Sequence, residues 1–161
     1  VLIRAATPDD VPSIRALERQ TETAAHWADR EYDALFAAEA PPRITLVATS
    51  EEDAGCVIGF VIARCAGAEW EIENVVVAPE ERNRGLGIKI IRELLLQAQS
   101  AGATSVLLEV RESNLAARRL YEKLGFSQQG RRSNYYREPE EDALLLYFYI
   151  TNLRQFSLEA E

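Results

Sequence analysis

The 161-residue chain contains no methionine, one histidine and two cysteines. One His and two distant Cys give no zinc-ligand spacing, and no metal is expected. Cys56 and Cys65 stand nine positions apart in one strand-like run. An odd separation sends two extended residues to opposite faces, roughly 30 Å apart, too far for a disulfide. Both are expected as buried thiols of a cytoplasmic protein. With no Met at all, the initiator has been removed or lies outside the numbered chain. Long apolar runs are lacking too. The longest, Cys56–Ala63 and Ala143–Ile150, fall far short of the roughly 18 residues of a membrane span. The opening Val1-Leu2-Ile3-Arg4 has no basic region followed by a long apolar stretch, so no secretory signal is read. Basic residues are outnumbered, 18 to 26, for a net charge of −8. That balance argues against a general nucleic-acid binder, while leaving room for a local basic site.

The chain is 47% hydrophobic and 27% charged, ordinary for a globular domain with one substantial core. There is no repeat, low-complexity tract or domain-separating linker. One domain over 1–150 with a polar tail over 151–161 is expected.

Leu2–Ala5 reads as a strand, and Thr7-Pro8-Asp9-Asp10 as a helix start with Thr7 as cap. Val11, Ile14 and Leu17 mark one helical face. A second helix is expected from about Asp29 to Ala38, ended by Pro41-Pro42. Strands are expected over Ile44–Ala48, Cys56–Arg64 and Trp70–Val77. The last breaks its alternation at Val75-Val76-Val77, as a strand does when it becomes buried on both faces. Gly85–Ser100 reads as a long helix with Ile88, Ile91, Leu94 and Leu95 inward. Ser105–Val110 is a strand. Asn114–Leu124 is a helix capped by Ser113 or Asn114 and stopped by Gly125. Phe126–Gly130 and Ala143–Ile150 close the sheet. The first strands form an antiparallel meander, and Trp70 to Val110 a parallel strand–helix–strand unit. The fold class is α/β or α+β, in three layers.

The most informative stretch is Val75–Val77, then Arg82-Asn83-Arg84-Gly85-Leu86-Gly87-Ile88. A strand ends, a basic turn follows, and a long helix opens on paired glycines. Glycine lets the backbone bend and approach a ligand closely. The unpaired N–H groups of the first helical turn, with the helix dipole, favour an anion. Arg82, Arg84, Lys89 and Arg92 surround that end. No Gly-Lys-Ser/Thr follows, so this is not a Walker loop, and the third glycine of a dinucleotide fingerprint is absent.

Arg82-Asn83-Arg84-Gly85-Leu86-Gly87 resembles the Arg/Gln-x-x-Gly-x-Gly/Ala signature of the GCN5-related N-acetyltransferases (GNAT). The resemblance runs through nearly the whole chain and is closest from Trp70 to Ile150. It implies a single-domain acyltransferase fold, with a mixed, mostly antiparallel central sheet flanked by helices. It also implies acetyl-CoA as co-substrate, its pyrophosphate cradled by Arg82 to Ile88. The backbone of Val75, Val76 and Val77 then pairs with the pantetheine arm, and Asn114 bonds one of that arm's amides. Leu108-Glu109-Val110-Arg111, Leu120-Tyr121-Glu122-Lys123-Leu124-Gly125-Phe126 and Arg131-Arg132-Ser133-Asn134-Tyr135-Tyr136 resemble the RimI group, which acetylates the N-terminal alanine of a ribosomal protein. On that resemblance Glu109 accepts a proton and Tyr121 donates one to the coenzyme thiolate. Tyr121 also counts among the coenzyme-binding residues.

Acetyl transfer to nitrogen needs a neutral amine. A protein α-amine, with pKa about 7.7–8.0 against about 10.4 for Lys, is the easier to neutralise at pH 7. Glu73, on the preceding strand, is a rival base. On the acceptor side the resemblance points to Trp27 and to Tyr135 and Tyr136, read as a loop before the last strand. Family members commonly carry Pro before that Trp, and His26 stands there in this chain. The implied partner is a protein N-terminus, of a ribosomal protein, with no direct nucleic-acid or membrane contact. The alternatives are a GNAT enzyme acting on a small amine or Lys side chain, and a non-catalytic acyl-CoA-binding module.

Overall fold

The computed structural model describes residues 1–21, 24–37 and 42–153. Its elements are β1 (Leu2–Ala5), a 3₁₀ turn at Pro8–Asp10, α1 (Val11–Arg19), α2 (Asp29–Asp33), β2 (Arg43–Thr49), β3 (Val57–Ala66) and β4 (Glu69–Val77). A 3₁₀ turn at Pro79–Glu81 leads to α3 (Leu86–Ser100), β5 (Ser105–Arg111), α4 (Leu115–Leu124), β6 (Ser127–Arg137), β7 (Glu140–Tyr149) and a last 3₁₀ turn at Ile150–Asn152. The strands form one seven-stranded sheet in the order β1-β2-β3-β4-β5-β7-β6. The pair β4–β5 is parallel, while β1–β2, β2–β3, β5–β7 and β6–β7 are antiparallel. The residues sort into two compact units, Val1–Cys65 with Glu73–Leu94, and Ala66–Ile72 with Leu95–Glu161.

In the first unit β1, β2 and β3 make the expected meander, with Leu2↔Thr49 and Arg43↔Arg64 in register. Strand β3 is buried without a break from Val57 to Ala63, which explains its continuous apolar run. At Gly59 the strand packs directly against α3 side chains. A methyl at that position would meet Ile90 Cδ1 at 2.8 Å and the Val76 carbonyl at 3.2 Å. Helix α3 buries Leu86, Ile90, Ile91 and Leu94 in this unit. Ahead of α1, the Asp10 carboxylate accepts from both Arg4 Nη atoms (2.7 and 2.9 Å) and from the Thr7 N–H (2.8 Å). Arg4 first, and then Thr7, hold that carboxyl below the usual carboxylate range.

In the second unit the parallel ladder runs from Glu69↔Ser105 to Ile72↔Leu108. Strand β5 pairs on its other side with β7, and β7 with β6. Helix α4 starts and stops where local chemistry says it should. The Asn114 side chain accepts from the Ala117 N–H at 3.2 Å, satisfying one unpaired donor. Gly125 takes φ 100° at the other end, a left-handed cap that suits glycine. Tyr121, Phe126 and Phe148 then pack ring to ring at 5.6 and 5.4 Å between centroids. Burying each such ring contributes about 1.5–3 kcal/mol.

Several expectations need correction. Strand β4 keeps alternating to its end, with Val76 buried and Val75 and Val77 half-buried, so it is not buried on both faces. Cys56 is exposed ahead of β3, and Cys65 is half-buried, so neither is a core thiol. Helix α2 stops at Asp33, and its expected end at Ala38 and the Pro41 stop lie outside the described residues. The inward face of α3 includes Ile90, while Ile88 is only half-buried. Tyr135 and Tyr136 are not in a loop. They lie within β6, which runs to Arg137. Of the expected tail, Arg154–Glu161 lies outside the described residues.

Candidate active site

In the first unit the end of β4 feeds a basic turn. Arg82, Asn83, Arg84 and Gly85 are all exposed. Asn83 (φ 61°) and Gly85 (φ 81°) are both left-handed, a conformation that turns successive N–H groups toward one concavity. Among the described residues, nothing occupies the space a side chain at Gly85 would take. The Gly85 carbonyl accepts the first helical bond, from the Lys89 N–H at 3.1 Å. The N–H groups of Leu86, Gly87 and Ile88 are thus left without helical partners. Arg82 Nε reaches the Val77 carbonyl at 3.3 Å, and Arg84 lies 3.6 Å from Glu81. An open left-handed turn, free helix-start donors and flanking guanidinium groups fit a diphosphate.

Trp27, expected on the acceptor side, is half-buried in the same unit. The Arg43 guanidinium lies 5.2 Å from its ring centroid. Arg43 in turn grips both oxygens of Glu73, Nε to Oε1 at 2.7 Å and Nη2 to Oε2 at 3.3 Å. The rival base is therefore engaged on both oxygens, with side chains only 16% and 18% exposed. His26, just before Trp27, is held at φ 54°, an uncommon conformation for a residue with a side chain.

In the second unit β5, α4 and β6 bring one cluster together. Glu109 receives Arg132 Nε at 2.9 Å, and the Glu109 side chain is 14% exposed. Tyr135 faces the same carboxylate, whose hydrogen bond and charge, with burial, push the Tyr135 hydroxyl up. Tyr135 and Tyr136 meet edge to face at 5.1 Å. The Arg111 guanidinium sits 4.1 Å over the Tyr136 ring. Burial, then the Glu109 charge, push Tyr136 up to about 12. Tyr121 is buried on α4, and burial first, with Tyr136 second, raises its pKa well above the ordinary phenol value. The Tyr121 phenol thus keeps its proton at neutral pH.

A bulge builds this cluster. Arg132 pairs with Ala143 and Tyr136 with Glu141, so β6 carries extra residues between those points. Asn134 takes φ 52° there, and Asp142 accepts its N–H at 2.9 Å. Bulges re-aim side chains beside functional sites. Arg132 lies in the Arg131–Tyr136 segment, but nothing in its spacing marks it as a partner of Glu109. Arg43 carried no sequence signal, because its partners Trp27 and Glu73 are distant along the chain.

The acetyltransferase (GNAT) family model matches residues 11–126. The chain belongs to that family, as an acetyl-CoA-dependent N-acetyltransferase. It is 30% identical over 134 residues to a ribosomal protein bS18-alanine N-acetyltransferase of Haemophilus ducreyi, covering 81% of this chain and 90% of that one. The Salmonella typhimurium enzyme of the same name is 30% identical over 144 residues, covering 88% and 93%. The crystal structure of the ribosomal-protein-S18-alanine N-acetyltransferase from Escherichia coli superposes with a TM-score of 0.80 at 27% identity, covering 92% of this chain and 93% of that one.

Proposed function

We propose that this chain transfers acetyl from acetyl-CoA to the N-terminal amine, an alanine, of a ribosomal or other protein in the cytoplasm. The observation that carries the reading is the Glu109–Tyr135–Tyr136–Tyr121 cluster, in a chain whose relatives bear that activity in their names. Acetyl-CoA supplies the activated acetyl group. The turn from Arg82 to Ile88 holds its diphosphate through the left-handed Asn83 and Gly85 and the first N–H groups of α3. The β4 backbone at Val75–Val77 pairs with the pantetheine arm, and Asn114, besides capping α4, bonds one of the arm's amides. Glu109 takes a proton from the acceptor amine. An α-amine asks only about 1 kcal/mol to lose that proton at pH 7, against about 4–5 kcal/mol for Lys. Tyr121 gives its hydroxyl proton to the departing thiolate. Trp27, Tyr135 and Tyr136 meet the acceptor peptide.

The test is acetyl-CoA-dependent acetylation of a panel of peptides differing in their first residue, read by mass spectrometry beside the same peptides with blocked termini and with internal Lys. Modification confined to a free N-terminal Ala is expected. Modification of Lys alone, or of free polyamines and no peptide, transfers the assignment to a side-chain or small-amine acetyltransferase. Binding of acetyl-CoA with no thiol release on any acceptor marks an acyl-CoA-binding module.

A further inference from the structure

Between α1 and α2 the segment Ala24–Ala28 carries Trp27 without belonging to a helix or a strand. What holds it is a polar network in the first unit. Glu18, on α1, is 2% exposed and Asn74, on β4, is 4% exposed. Glu18 Oε1 accepts the Trp27 N–H at 2.9 Å. Its other oxygen accepts from the Asn74 carboxamide nitrogen. The Asn74 carboxamide oxygen accepts the Ala25 N–H at 3.4 Å. Tyr32 is buried beside Glu18, within its electrostatic reach but outside hydrogen-bond geometry, and burial followed by Glu18 drives its hydroxyl far upward. A buried carboxylate is costly to keep unless its oxygens are met. Here they are met by the segment that presents Trp27 and by the strand that carries Glu73.

We propose that Glu18 and Asn74 are positioning residues for the acceptor: together they set the backbone at Ala25 and Trp27, and so fix the Trp27 ring. The inference rests on the reading of Trp27 as an acceptor-side residue. The donor–acceptor pattern makes it testable. In Glu18→Gln the new amide group faces the Asn74 amide group, donor against donor. Turning the Asn74 carboxamide over only moves the conflict to the Ala25 N–H. In Asn74→Asp two carboxylates face each other. The double exchange, Glu18→Gln with Asn74→Asp, restores every hydrogen bond and the original net charge.

The measurements are kcat/KM for an Ala-starting peptide, KM for acetyl-CoA, and Tm. Each single exchange is expected to lower acceptor kcat/KM about tenfold, the scale of one stranded buried polar group. KM for acetyl-CoA is expected to stay within about twofold, since no phosphate contact changes. The double exchange is expected to recover acceptor kcat/KM to within about threefold of the parent, the signature of coupled neighbours. A merely structural role would lower Tm and impair both substrates together. Singles with intact acceptor kcat/KM, or a double exchange as impaired as the singles, overturn the proposal. Should a single exchange fail to fold, Asn74→Ala replaces it, and intact acceptor kcat/KM in that variant is equally fatal. If the parent enzyme acetylates no peptide, the functional reading fails first and takes this inference with it. If the parent turns over and the variants match it, this inference fails alone.

Discussion

Glu73→Gln and Glu109→Gln remove similar groups and are expected to have opposite effects. Glu73 is held on both oxygens by Arg43, and both side chains are less than one-fifth exposed. Neutralising it leaves the Arg43 guanidinium part-buried with half its charge-assisted bonds. Breaking one side of a fully buried pair costs about 3–5 kcal/mol, and discounting for partial exposure leaves about 2 kcal/mol. Glu109 meets Arg132, whose side chain is 58% exposed, and a pair open to water on that side is worth at most about 1 kcal/mol. As the proposed proton acceptor, however, Glu109 should carry a factor of about 10²–10⁴ in rate. Urea unfolding should therefore show a large midpoint shift in Glu73→Gln with kcat near the parent's. Glu109→Gln should unfold almost like the parent and turn over at least about a hundredfold more slowly. The reverse pattern, a stable and inactive Glu73→Gln beside an active Glu109→Gln, refutes the assignment.

Gly85→Asp places bulk and negative charge where the fold leaves open space. Its φ of 81° costs the fold about 1–2 kcal/mol for a residue with a side chain, whereas acetyl-CoA binding by calorimetry should vanish; unchanged affinity removes the loop from the site. Tyr121→Phe should lower kcat more than it raises KM for acetyl-CoA, because a proton donor acts mainly in the transition state. Since burial raises the Tyr121 hydroxyl, it keeps its proton past pH 10, the ordinary phenol value. The kcat profile should show no falling limb from it below about pH 10, and such a limb, if abolished in Tyr121→Phe, contradicts this. Asp10→Asn should cost about 1.5–3 kcal/mol at pH 7, the range for charge-assisted bonds. A carboxyl lowered in the folded state stabilises above its unfolded value near 3.9 and loses that contribution as pH falls through the folded value. The gap between parent and variant should close in acid, and a gap equal at pH 2.5 and pH 7 by chemical unfolding defeats the argument.

The parts of the fold governed by local rules were readable from residues alone. Asn114 and Gly125 mark α4 because a side-chain cap and a left-handed glycine act within one turn. The apolar run of β3 and the glycine-led start of α3 were legible for the same kind of reason. Strand β6 was readable only to Gly130, because it stays almost wholly exposed along its length and has no inward stripe to betray its period. It exists through its pairing with β7, a property of two segments at once. The candidate site divides the same way. The turn at Arg82–Ile88 is one contiguous stretch and could be read directly. The bidentate grip of Arg43 on Glu73, the approach of Arg132 to Glu109, and the buried meeting of Glu18 with Asn74 join residues 30, 23 and 56 positions apart. No spacing rule reports such encounters.

The absent side chain at Gly59 has a reach out of proportion to its size. It is the floor on which the first turns of α3 rest, touching the places where Leu86 and Ile90 come down. A methyl added to that floor would have to push aside the tip of Ile90 and crowd the Val76 carbonyl. The seating of the start of α3 thus depends partly on a position 26 residues upstream of Gly85.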